Sequence, residues 1–131
     1  MASPNLDLVR SIYADWERGV MADDKFDPEI SMIESSALPG GGASAEGIDA
    51  VRNYIRSFDK YWDEIHFEPL EYLDAGERVV VVARLVGRGK KSGVEVSRDW
   101  AYVWTLRDGK ALRMQGYESR DEALEAAGLP R

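Results

Sequence analysis

The chain has 131 residues, 44% hydrophobic and 31% charged, with a formal net charge of −7 and no cysteine. That length makes one domain (1–131) whose core needs no staples, and the missing cysteines exclude disulfides and thiolate chemistry. The acidic balance argues against nucleic acid as a partner, because phosphate binding needs clustered Lys and Arg.

No run approaches the roughly 18 apolar residues of a membrane span, and "MASPNLDLVRSIYADWERG" lacks the apolar stretch of a signal peptide. The expectation is a cytoplasmic protein with no membrane partner. Ser3-Pro4 or Asn5 opens a first helix. Leu6, Val9, Tyr13, Trp16 and Val20 recur there at three- and four-residue steps as one apolar stripe, with Gly19 as its stop. After the poorly patterned "MADDKFDPE", the stretch "ISMIESS" (30–36) predicts a brief strand. "ALPGGGASAEG" (37–47) predicts a glycine-rich loop, and it does not match a dinucleotide fingerprint.

Ile48, Val51, Ile55, Phe58 and Trp62 mark a second amphipathic helix, flanked by Tyr54 and Tyr61. From residue 64 the period becomes two. "EIHFEPLEYL" predicts a strand with a bulge or bend at Pro69. "RVVVVARLVG", apolar on both faces, predicts a central strand. The loop "GRGKKSG" (87–93) is read as a solvated hairpin turn, lacking the spacing and following helix of a P-loop. It leads into "VEVSRDWAYVWTL", and "RDGK" turns the chain into "ALRMQGY". Ser119 and Glu122 have capping-box spacing, so "RDEALEAAG" predicts a terminal helix ended by Gly128. Helices set against a curled antiparallel meander make an α+β domain, and the bend of the sheet makes a hollow plausible.

This element order, with the spacing of Tyr13 and Trp16, "EGIDAVRNYIRSF" and "AYVWTLRDGKALRMQGY", resembles the SnoaL-like branch of the nuclear transport factor 2-like superfamily across roughly residues 5–129. The resemblance implies a cone, a curved antiparallel sheet wrapped around N-terminal helices with a pocket inside. It also implies a role among isomerases, cyclases, dehydratases, epoxide hydrolases or non-catalytic binding subunits. Aligned with the ketosteroid isomerases, the base position falls at Glu34, the helix-1 tyrosine at Ile12 beside Tyr13, and the second acid near Tyr102. The acid–base pair of the polyketide cyclases would fall at Gly116 and Tyr102, so it is missing. An epoxide-hydrolase constellation is not intact either, since Arg98 and Asp99 are adjacent and point to opposite faces of a strand.

Three candidate groups emerge. Glu34 ends a strand face shared with Ile30 and Met32, and is either a poorly solvated carboxyl suited to proton transfer or a strand end turned to water. Tyr13 and Tyr102 are the candidate oxyanion donors beside it. Trp100, Tyr102 and Trp104 share one face, with Trp16, Phe58 and Trp62 opposite and Met32 and Met114 completing an apolar lining; they either fill the core or line a small-molecule pocket. Arg98 on the same face either binds a ligand at the pocket mouth or pairs with a glutamate. The single His66 is expected to point outward, and one histidine makes no metal site. Asp99 is expected on the outer sheet face with Ala101, Val103 and Thr105, whose low charge predicts a homodimer contact. The expected function is small-molecule binding without a cofactor or metal, and with acid–base chemistry if catalytic. The alternative is an interaction module with a filled core.

Overall fold

The computed structural model describes residues 3–34 and 44–130. Helix α1 spans Pro4–Glu17. Ser3 caps it by accepting a hydrogen bond from the Leu6 amide at 3.0 Å, and Pro4 occupies a first-turn position where no N–H is needed. Of the predicted stripe Val9 and Tyr13 are buried, joined by Ile12, whereas Val20 lies past the end of the helix and is 44% exposed. Asp15, also buried, is held by Lys25 and Arg18, so its charge is paired. Helix α2 spans Ile48–Tyr61 and turns Ile48, Val51, Tyr54, Ile55 and Phe58 onto the core. Trp62, expected as the last member of the helical stripe, is instead the first residue of a strand.

The strands are β1 (Phe26–Ile33), β2 (Ser44–Glu46), β3 (Trp62–Ala75), β4 (Arg78–Gly89), β5 (Glu95–Arg107) and β6 (Lys110–Tyr117). Their order in the single sheet is β2-β1-β6-β5-β4-β3. Strands β3 to β6 form the expected antiparallel meander, with the register break expected at Pro69 lying between Pro69 and Glu71.

Three expectations need correction. Strand β1 begins at Phe26 rather than Ile30, because a register shift between Phe26 and Ser31 accommodates Pro28. It pairs parallel to β6, so the sheet is mixed rather than wholly antiparallel. The end of the expected loop forms β2, hydrogen-bonded to β1; its residues 37–43, and residues 35–36 of the expected strand, lie outside the described residues.

Alternation along β4 and β5 divides the core in two. On the concave face Val79, Val81, Ala83, Leu85, Trp100, Tyr102 and Trp104 pack beneath α1 and α2. On the convex face Val80, Ala101 and Val103 pack against Ala123 and Leu124 of α3 (Arg120–Ala126). Ser119 caps α3 through the Glu122 amide at 3.2 Å, and Arg120 holds Glu71 by two hydrogen bonds of 2.9 Å. The outer face expected to pair with a second copy is therefore occupied, at Ala101 and Val103, by the chain's own terminal helix. Asp99 pairs with Arg84 of the neighbouring strand at 2.9 Å. His66 is exposed, as its outward position in the alternation requires.

Candidate functional site

Met32 on β1 faces Met114 on β6 in register, and both are buried. Glu34 lies two residues past Met32 on the same face, where the strand has just ended under α2. The residue is only 6% exposed. Together with Tyr13, Trp16, Tyr54, Ile55, Phe58, Phe67 and Tyr102, these residues line a void of about 30 Å³, room for one or two waters. The space left between α1, α2 and the concave sheet is thus small.

Burial pushes the Glu34 carboxyl up to about 7, against an opposing pull from the nearby Tyr54 hydroxyl, which favours the charged form. The Tyr54 hydroxyl is itself shut away from solvent, close to that carboxyl but outside good hydrogen-bond geometry. Burial raises the phenols of Tyr13 and Tyr102 far above their ordinary range, and the nearby Glu34 charge pushes in the same direction. All three phenols therefore stay protonated around neutral pH and face the cavity as neutral groups. Tyr13 accepts a hydrogen bond from the Trp104 indole at 3.2 Å, which leaves its own proton available to another acceptor. Among the described residues no Lys or Arg lines the void.

The remaining aromatic candidates divide sharply. Tyr102 alone of the β5 row reaches the void. Trp104 is fully buried between Tyr13 and Trp16, with ring centroids 5.9 and 5.8 Å away. Trp100 is buried with its indole N–H unpartnered, and Trp62 packs at the far end against Gly87, whose missing side chain makes room for the ring. These three tryptophans fill core and do not line the cavity. The reason is geometric: sharing a strand face says nothing about where two helices cross above it. Arg98 is also away from the void. Its guanidinium stacks 4.2 Å over the Trp100 ring and lies 3.9 Å from the Glu118 carboxylate, the structural role weighed against ligand binding. Three wall residues escaped the initial candidate set: Tyr54, Ile55 and Phe67. Tyr54 flanks the α2 stripe and Phe67 alternates inward on β3, so periodicity marked both as core-facing without marking the void.

Outside this void, a larger cleft of about 380 Å³ runs between α1 and β3. It shares Tyr13, Trp16 and Phe67 with the void, so those three rings are the partition between inside and outside. Arg10 lies 5.2 Å over the Tyr72 ring at this mouth. Trp16 is tethered by its indole N–H to the Met21 carbonyl at 2.9 Å.

A family model described as the SnoaL-like domain matches residues 9–114. The chain belongs to the SnoaL-like family. Solved structures agree with this SnoaL-like chain in fold over nearly their whole length. An NTF2-like protein of unknown function from Burkholderia pseudomallei K96243 is 22% identical over 95% of this chain and 97% of its own, with a TM-score of 0.81. TerC, co-crystallised with polyporic acid, is 21% identical over 96% of this chain and 99% of its own, with a TM-score of 0.77. A protein of ketosteroid isomerase-like fold from Catenulispora acidiphila DSM 44928, in complex with trimethylamine, is 19% identical over 94% and 93%, with a TM-score of 0.73. No curated protein matches the chain in sequence. Among the described residues no helix is long and apolar enough to cross a membrane, and no group of three His, Asp or Glu side chains is placed to hold a metal.

Proposed function

We propose that the SnoaL-like chain binds a small, mostly apolar molecule between α1, α2 and the concave sheet, and that Glu34 exchanges a proton with it. The observation that carries the reading is a carboxyl buried among aromatic and Met side chains, with no cation beside it among the described residues and a pKa lifted to about 7. Such a group is half ionised near neutrality, the condition in which one side chain serves as both base and acid. Family membership supports the small-molecule role, and two neighbours of the same fold hold organic ligands.

The chemistry suited to these residues is proton movement next to a carbonyl. The ionised Glu34 takes a proton from carbon, the C–H electron pair moves into a new C=C bond, and the carbonyl π electrons move onto oxygen. A phenol proton from Tyr13 or Tyr102 would stabilise the resulting enolate oxygen. Returning the proton to another carbon completes an isomerisation, and loss of a hydroxyl from the neighbouring carbon completes a dehydration. A ligand larger than water needs the partition to open, and the route of least disruption is past Trp16 and Phe67 into the outer cleft.

The test is hydrogen–deuterium exchange of cyclohex-2-enone in D₂O, followed by NMR with the native chain and with Glu34→Gln. The proposal expects exchange accelerated by the native chain, increasing as pH rises through about 7 and absent from the variant. Equal exchange with both proteins overturns it. One observation favours a second reading, a non-catalytic module with a filled core: the void holds only about 30 Å³. We assign no homodimer contact to Ala101 and Val103, because α3 already covers them.

A further inference from the structure

At the opposite end of the sheet, the β4–β5 hairpin folds back onto the end of α2. The Lys90 amide donates to the Tyr61 carbonyl at 2.9 Å, and the Lys90 ammonium to the Asp59 carbonyl at 2.7 Å. The second contact places a cation on an unsatisfied carbonyl of the last helical turn, where the helix dipole is negative. Gly93 turns the hairpin tip in a left-handed conformation (φ +67°) and closes it through its N–H to the Gly89 carbonyl at 2.9 Å. These bonds hold open a groove of about 550 Å³, within the range of small-molecule sites.

The groove's lining differs from the rest of the surface in two ways. It carries Lys60, Lys90 and Lys91 and no acidic side chain, in a chain of 24 acidic and 17 basic residues. Lys60 and Lys91 have no ion pair or hydrogen bond among the described residues. Its apolar part includes Tyr61, 55% exposed, and Val94, 58% exposed, two of four large apolar side chains among the described residues that stand well out into solvent. Trp62 and Val96 complete that wall. Unpaired cations bordering an exposed aromatic and aliphatic surface complement one chemical class, a molecule with an anionic head and an apolar body.

We propose that this groove is a binding site for small amphiphilic carboxylates, of the medium-chain fatty acid kind. The body covers Tyr61 and Val94, which removes apolar surface from water. The head rests between Lys60 and Lys91, where the attraction is that of an exposed ion pair and weakens with salt. The site shares no lining residue with the void around Glu34, and the proposal is independent of the function assigned there.

The experiment is an NMR titration of the uniformly labelled full chain with sodium decanoate, decanol and sodium acetate in parallel. Decanoate is expected to shift the resonances of Lys60, Tyr61, Trp62 and Val94, more weakly as salt is added. Decanol is expected to bind less tightly, and acetate to leave these resonances in place. The double variant Lys60→Gln, Lys91→Gln, whose exposed side chains bear no structural contacts, is expected to bind decanoate about three- to tenfold more weakly, the worth of two exposed ion pairs. Its decanol affinity should be unchanged. Three results each overturn the proposal: decanoate shifts confined to Met32, Tyr54 and Met114 around the void, undiminished decanoate affinity in the double variant, or acetate alone reproducing the shifts as an adventitious ion only.

Discussion

Replacing Glu34 by Gln keeps the side-chain shape and removes the charge that the site solvates poorly. In the folded chain burial raises this carboxyl from 4.5 to about 7. The folded state therefore binds the proton more readily than the unfolded one, and stability falls as pH rises from about 4.5 to about 7 before levelling off. At about 1.4 kcal/mol per pKa unit, ionised Glu34 withdraws about 3 kcal/mol from the fold at pH 8. Gln escapes that penalty but buries an amide whose hydrogen bonds are incompletely met, at a cost of about 1 kcal/mol. The net expectation is a variant more stable than the native chain by about 2 kcal/mol at pH 8, with the advantage gone or reversed near pH 4.5. Urea unfolding of both proteins at a series of pH values reads this directly, and other titrating groups cancel in the difference. The phenols facing Glu34 do not titrate in this range, since burial lifts all three. A stability difference between the two proteins that stays constant from pH 4.5 to 8 would refute the reasoning.

Other substitutions probe the surroundings of the void. Tyr54→Phe removes the hydroxyl that pulls the Glu34 pKa down, so a carboxyl ¹³C titration should place it above the native value. Trp104→Ala is expected to cost about 3–5 kcal/mol in urea unfolding, because the ring is fully buried and donates to Tyr13. Arg98→Ala, on the same strand face but exposed, should cost only about 0.5–1 kcal/mol through its lost stacking on Trp100. Gly87→Ala would place a methyl 2.8 Å from Trp62 Cε3 and 2.9 Å from the Glu64 carbonyl. Displacing that ring is expected to lower stability by about 1–3 kcal/mol, seen as a reduced urea midpoint.

Much of this architecture was legible because local rules and tertiary packing agree. The Ser3 cap of α1, the Pro69 break and the Ser119 cap each follow from residue chemistry within a few positions, and each is where that chemistry places it. What was not legible depends on contacts distant in sequence. The parallel pairing of β1 with β6 joins residues about eighty positions apart. The fate of Ala101 and Val103 was misread because period-two alternation identifies the outer face, while only the path of α3 decides what covers it. The same limit explains the β5 row. Trp100, Tyr102 and Trp104 are equivalent by spacing, yet only Tyr102 lies where α1 and α2 leave a gap. Glu34 was found by its place beside Ile30 and Met32, and its burial resolves the choice against a solvated strand end.

The central claim is that the small void around Glu34 is a ligand site that widens on binding. A crystal of the chain soaked in cyclohex-2-enone tests it most directly. The account predicts ligand density between the Glu34 carboxyl and the Tyr13 and Tyr102 hydroxyls, with Trp16 or Phe67 displaced toward the outer cleft. An unoccupied void still of about 30 Å³, with those two rings unmoved, would contradict it.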